Sequence, residues 1–439
     1  MFEWRKKKIP VLGVVLFRGS DPLQAHEFEF LKGKGISVTS APVRNNQRWA
    51  LQLEHPRWGR ATLGCPKESS PPPKFIYDQV GTITEKEKQT VLAAGTSLTI
   101  KSEGPEGDLL RDRKHGLRFM HAVMGDDGLG VVDVPGYSVW SRAMLEDELS
   151  HDAELDVEQL LAYHAIHDGD KKTYWIHSHG LGEIGFFDFD IVDPDEGLTV
   201  NLSDICRVIA YAIVEGTVEI NTDRFLVYKP GGHVRFVPVP EFLRRSPPAI
   251  RSRIEWDECH RDNRAVLCEP TGILNRWFGK VTPSRALSRN FPEDPLLQFS
   301  TPASLRMAER ARNTYGLLRC LYAEFSEMGF TTLAKIGYRT DGGNETDIEH
   351  LWFSIRALHD DQIDATLENQ PYHIARMKQG DRGLHPISQM TDWMILTPAG
   401  SINPRNTVAA RRMRENPEFL DKMRKIMKEC RREEESSKS

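Results

Sequence analysis

Apolar positions in the first third of the chain switch between a strand period of two and a helix period near 3.6. The run Ile9–Phe17 predicts a buried strand, and Asp21-Pro22 opens a helix through Leu31 that stops at the Gly33/Gly35 pair. Apolar and polar residues then alternate over Trp49–Glu54 and Gly59–Leu63 across the turn His55–Trp58, predicting two short strands. Thr84 and Glu87 have capping-box spacing, so a helix starts there and should end near Gly95. Leu109, Leu110, Leu117, Met120 and Val123 recur at helical spacing with Gly116 among them. Leu129–Val134 is a predicted buried strand and Ser138–Leu149 a predicted helix.

The central pattern is a hairpin. Leu160–His167 and Lys172–His179 flank Asp168-Gly-Asp170, a strong turn signal. If Asp168 and Lys171 close that turn, His164 faces Trp175, and one sheet face carries Trp175, His177 and His179. Phe187–Ile191 alternates as a strand, Asn201 and Gly216 bound a helix over Leu202–Glu215, and Val218–Ile220, Phe225–Tyr228 and Val234–Val237 supply further strands. Periodicity is weak from Arg244 to Thr301, which suggests a connecting region. A long helix is expected from Pro302 to Met328, strands over Thr332–Tyr338, His350–Arg356, Ile363–Glu368 and Trp393–Leu396, and a last amphipathic helix from Val408 to about Arg432.

These elements predict an α+β protein. The expected parts are a small N-terminal α/β unit over residues 1–75, closed by the linker Ser69–Pro73, and a central mixed-sheet α/β domain over 76–245. A connecting region over 246–300 then leads to a helix, a small mostly-β domain and a C-terminal helix over 301–439. A length of 439 residues suits several domains. The net charge of -5 argues against a surface that tracks nucleic acid throughout, and acids interspersed with the basic residues of the last helix argue the same locally. Six cysteines without a CxxC pair read as free thiols of a reducing compartment, hence a cytoplasmic protein. The apolar run after Arg5–Lys8 is too short to span a bilayer, so no membrane association is expected.

Candidate chemistry concentrates in Trp175–Ile191. Gly180-Leu-Gly-Glu-Ile-Gly185 satisfies GxGxxG, but a phosphate cradle needs a helix N-terminus next and a strand pattern follows, so no dinucleotide is expected. His177 and His179 at i and i+2 on a strand point the same way and could reach one metal ion, with Asp188, Asp190, Glu183 or His164 completing the set. The spacing from His177-Ser-His179 to Asp190 resembles the zinc motif of JAMM-type isopeptidases. That resemblance implies His177, His179 and Asp190 as zinc ligands and an upstream Glu as general base. Gly180 stands where that family has Pro, Phe187 where it has Ser, and the Glu is left open among Glu146, Glu148, Glu154 and Glu158. The structural alternative has the imidazoles bonding backbone groups and the acids forming a solvated strand face. Cys259, His260 and Cys268 are partial ligands without a fourth at usable spacing.

Glu349-His-Leu-Trp352, Leu367 with Asn369 and Pro371, Gly380-Asp381 and Thr391-Asp-Trp-Met394 resemble the bacterial family called domain of unknown function 2314, also described as YegJ-like, over about residues 318–412. The earlier region, with His177-Ser-His-Gly-Leu181 and the acidic strand, is similar to domain of unknown function 4026. The same segment resembles bacterial toxin-immunity and suppressor-of-fused-like domains, which act by binding proteins. These resemblances imply an architecture and a bacterial cytoplasmic setting, and no catalytic residue. Glu349, His350, Trp352, Asp392 and Trp393 are candidate structural or binding positions, the Trp rings filling a small barrel and the acids accepting hydrogen bonds. The leading expectation is a non-catalytic protein-binding, immunity-like module with a protein partner. The alternative is a zinc-dependent hydrolase using His177, His179 and Asp190.

Overall fold

The structure, a computed structural model, describes residues 10–68, 81–105, 107–168, 173–194, 198, 201–252, 256, 262–270, 279–288, 291–292, 296–344 and 347–437. The linker 69–73, the tip residues 169–172 and the pair Cys259-His260 lie outside them. The fold is α+β, with three sheets, and the chain divides into two compact units. One comprises Met1–Val80, Ala94–Trp140 and Leu155–Ser300, the other Gly81–Ala93, Ser141–Glu154 and Thr301–Ser439.

The first sheet of the larger unit contains β1 (Val11–Arg18), β2 (Ser37–Ser40), β3 (Gln47–His55), β4 (Gly59–Pro66), β5 (Ala94–Glu103), β6 (Gly128–Asp133) and β7 (Ser138–Ser141), in the order β2-β3-β4-β5-β1-β6-β7. The apolar run that predicted β1 therefore sits between β5 and β6, with Val15 and Leu16 fully buried. The helix Leu109–Met124 packs on this strand, and glycines permit the close approach. A Cβ on Gly116 would lie 3.0 Å from the Val11 side chain, and one on Gly13 would lie 2.2 Å from Met120. The glycine that breaks the helical pattern is thus where helix and strand touch.

The second sheet contains β8 (Ala162–Asp168), β9 (Thr173–His179), β10 (Asp188–Val192), β11 (Phe225–Lys229), β12 (Gly232–Pro238), β13 (Arg264–Cys268) and β14 (Leu296–Leu297), in the order β14-β11-β12-β13-β10-β9-β8. β10 and β13 run parallel and every residue of both is buried, as expected for strands covered on both faces. The helix Leu202–Val214 covers this unit's core with Ile205, Val208, Ile209 and Ala212.

The smaller unit carries β15 (Thr331–Arg339), β16 (Ile348–Leu358), β17 (Gln362–Leu367), β18 (Arg382–Pro386), β19 (Met390–Thr397) and β20 (Gly400–Ile402), antiparallel in the order β18-β17-β16-β15-β19-β20. Alternate residues such as Ala334, Ile336, Leu351, Phe353, Ile363 and Ala365 point into one core shared with Leu318, Leu321 and Phe325 of the helix Tyr315–Phe325. The capping box at Thr84 forms as expected, with Glu87 N–H donating to Thr84 Oγ1 and Thr84 N–H to Glu87.

Several expectations need correction. The helix after Thr84 ends at Leu92, and Ala94–Glu103 is a strand that periodicity did not reveal, because Thr96, Ser97 and Ser102 are buried polar residues. Ser138–Leu149 is a strand followed by a helix, divided at Ser141, whose hydroxyl caps the helix by accepting from Met144 N–H. Val218–Ile220 forms no strand, since hydrogen bonds from Thr217 and Val218 to Ala212 wrap it onto the preceding helix end. Asn201 makes no side-chain cap. The helix expected from Pro302 breaks at Thr314, and the C-terminal helix is two, Val408–Arg414 and Pro417–Ser437.

Candidate metal centre

The β8–β9 hairpin sets the site. Its register pairs His164 with His177, Ile166 with Trp175 and Asp168 with Thr173. The expected register paired His164 with Trp175, so the strands are offset by two residues. A two-residue offset leaves every side chain on its original face. Trp175, His177 and His179 therefore do share a face, joined there by His164.

The three imidazoles form a triangle. Ring centroids are 5.2 Å apart for His164 and His177, 5.2 Å for His164 and His179, and 4.9 Å for His177 and His179. One ligand nitrogen from each lies within 4.8 Å of the other two. Among the described residues this is the group of three that could hold a metal ion. Tetrahedral zinc with bonds of about 2.0–2.1 Å needs nitrogens roughly 3.3 Å apart, so small ring rotations would close the triangle. His177 is 2% exposed, whereas His164 and His179 are half-buried, which leaves an approach from one side.

Asp190 is otherwise engaged. It lies directly across from His177 on β10, but its carboxylate accepts from Trp175 Nε1 at 3.0 Å and from Arg264 Nε and Nη2, both at 3.2 Å. Asp190 is 0% exposed and Arg264 3%, so this is a buried charge pair. The structure therefore brings His177 and His179 together with His164, and ties Asp190 to a guanidinium. Sequence reasoning missed Arg264, because it treated 244–301 as connecting region. The signal was present: Ala265-Val-Leu-Cys268 is a short apolar run closed by Pro270, the pattern of a fully buried strand.

The glycine-rich stretch after His179 is a fixed connection. Asp188 accepts from Ser178 Oγ at 2.7 Å and Gly182 N–H at 3.0 Å, while Ser178 Oγ accepts from Phe189 N–H at 2.9 Å. Burial pushes the Asp188 carboxyl up, against the opposing pull of those hydrogen bonds and Arg264. Gly180 has φ +117°, and a Cβ there would lie 2.4 Å from Leu160 O. The short turn Gly182–Ile184 follows, and then a strand, so a dinucleotide cradle does not form.

Two residues flank the triangle. The Tyr137 ring lies 5.2 Å from that of His179, and its hydroxyl is 3.4 Å from Glu183 Oε1. The Trp175 ring lies 4.3 Å from His177 on the other side. Of the acids considered as an upstream base, Glu148 pairs with Arg310, Glu154 with Arg306, and Glu158 accepts from Tyr163 and Ser203.

The candidate residues of the smaller unit have structural partners. Glu349 accepts from Tyr372 N–H at 2.7 Å and His373 N–H at 2.9 Å, fixing the segment beyond β17. His350 Nδ1 lies 3.1 Å from Thr391 Oγ1, and desolvation, then the Lys335 charge, lowers its pKa. Lys335 Nζ stands 5.4 Å over the Trp352 ring. Asp392 accepts from Arg405 at 3.3 Å, and fully buried Trp393 donates from Nε1 to Thr314 Oγ1 at 2.8 Å. Four of the described cysteines are free; three of them are buried, and burial raises those three thiols, which makes them poor nucleophiles.

Residues 306–414 match the family described as "Uncharacterized protein conserved in bacteria (DUF2314)". Comparison with curated proteins and with solved structures returned no match. No helix among the described residues is long and apolar enough to cross a membrane.

Proposed function

We propose that this is a bacterial metalloprotein in which His164, His177 and His179 hold one divalent ion of the zinc type, with an open coordination position that activates water. The observation that carries this reading is the triangle of imidazole nitrogens within 4.8 Å on one face of a hairpin. Neutral imidazole suits zinc and its first-row neighbours, and three protein ligands with a fourth position left for water is the arrangement of catalytic zinc. A bound ion would lower the pKa of that water and supply hydroxide near neutral pH. In this reading Asp190 orients Trp175 and Arg264 beside the site and is not a ligand. The zinc-dependent hydrolase is thereby favoured over the protein-binding module, with His164 in the place that the sequence motif gave to Asp190. Kinship of the central region with domain of unknown function 4026, a YegJ-like C-terminal part and a cytoplasmic setting belong to the same proposal.

Metal analysis of tag-free protein, incubated with zinc and dialysed, tests it. About one zinc per chain is expected, lost in His164→Ala, His177→Ala and His179→Ala variants that keep their circular dichroism. Wild-type protein that retains no zinc would sink the proposal.

A further inference from the structure

Tyr137 occupies a conformation that aromatic residues rarely adopt, φ +49°. Such strain persists where the surroundings over-determine it, and they do so here. Asp133 accepts from Gly136 N–H and pairs with Arg113, which is 1% exposed. Tyr137 N–H bonds Val134 O, and Val134 N–H bonds Leu12 O of β1. The turn also abuts the end of β9, since a Cβ on Gly180 would lie 3.0 Å from Pro135 O. The result is a phenol ring held against His179 with its hydroxyl toward Glu183. Glu183 is placed independently, on the turn that Asp188 fixes through Gly182 N–H. Tyr137 is 42% exposed and Glu183 is also exposed, so the pair is open to solvent beside the half-buried His179.

We infer that Glu183 is the proton acceptor and Tyr137 the oxyanion donor of an acyl-hydrolysing site at the three histidines, with esters or amides as the substrate class. The inference rests on the metal reading and adds the residues that would make it catalytic. With an ion held by the three histidines, the water it activates would form a bond to the acyl carbon while Glu183 takes one water proton. The acyl oxygen gains the electron pair and is met by the Tyr137 O–H. The bond from the acyl carbon to the leaving oxygen or nitrogen then breaks, and the proton held by Glu183 passes to that leaving atom. Reactants and products balance as ester plus water to acid plus alcohol, with no further reagent.

The test uses full-length protein loaded with zinc, p-nitrophenyl acetate as the substrate probe, and Glu183→Gln and Tyr137→Phe variants. Each variant should lower kcat/KM by about 100-fold, the size of effect that single acid–base or oxyanion groups supply. A second measurement does not depend on turnover: acetohydroxamate binding to cobalt-loaded protein, read from the visible bands. Each variant should weaken it about tenfold, one lost hydrogen bond to a charged or chelated group, while cobalt affinity stays unchanged. Variants that match wild type in both measurements overturn the inference and leave the metal site standing. Metal-loaded wild type that hydrolyses the probe no faster than free zinc does the same. Failure to bind metal removes both proposals together.

Discussion

His164 and His177 sit directly across from each other in the β8–β9 hairpin, their rings meeting edge to face at 5.2 Å. Directly opposed residues of an antiparallel pair share a face, with Cβ atoms about 4.5–5.5 Å apart. His179, two residues along, completes a triangle that no single strand could make. Replacing His164 by Ala should therefore weaken zinc binding as strongly as replacing His177, by at least about 100-fold, more than loss of a supporting contact would cost. Competition against a chromophoric chelator measures this directly; an unchanged affinity in His164→Ala would remove it from the ligand set.

Asp190→Asn separates the metal site from its foundation. The substitution removes the nearer of two carboxylates from a guanidinium that is 3% exposed, leaving Asp188 at 3.9 Å, and breaking such a buried pair costs up to about 3–5 kcal/mol. The variant should unfold at markedly lower urea concentration yet, while folded, still bind zinc. Normal stability with lost zinc would reverse the assignment.

In the smaller unit, Arg310 ties the helix Arg142–Leu149 to the helix Thr301–Asn313. It pairs with Glu148 and donates to Glu154 O at 2.8 Å and Pro404 O at 2.9 Å. Glu148→Ala leaves that charge buried, and a loss of about 3–5 kcal/mol is expected. The double variant with Arg310→Met should recover part of it. A strictly additive double-mutant cycle would show that the two residues act independently.

Acid should weaken the smaller unit before its carboxylates matter. Desolvation lowers the pKa of exposed His350, aided by the Lys335 charge, and burial lowers that of His385, against the opposing effects of the Ala365 backbone and Asp364. Above the unfolded value of 6.5 both imidazoles are neutral in either state, so their contribution is complete. As pH falls through 6.5, the unfolded chain takes up protons that the native state refuses, and stability declines until the lowered native values are reached. Urea midpoints at pH 7.5 and 5.5 should differ accordingly. The gap should shrink in a His350→Gln, His385→Gln variant; an equal gap in that variant assigns the loss to other groups.

What the chain disclosed unaided follows from its side-chain periods. An unbroken apolar run placed β1, apolar alternation placed β3, β4, β12 and most of the last sheet within a few residues, and the Thr84 capping box marked a real helix start. β5 was hidden because its inward positions include Thr96 and Ser102, polar residues that break the apolar pattern yet are buried. The hairpin register was off by two because turn type, not alternation, fixes it, yet the shared face survived since the period is two. Asp190 was expected as a metal ligand or on a solvated strand face, but it is fully buried, and the guanidinium that holds it comes from 74 residues away in a stretch of weak periodicity. Tyr137 carried no signal at all: its importance is proximity to His179, which no local pattern encodes.

The most direct test is the visible spectrum of tag-free protein titrated with cobalt(II). A nitrogen triangle with one open position predicts intense bands of low-coordinate cobalt that saturate at about one ion per chain, as for a zinc site of this ligand type. They should be abolished by His164→Ala and kept by Asp190→Asn. Bands that survive in His164→Ala and vanish in Asp190→Asn, or no saturable bands at all, would contradict the three-histidine centre.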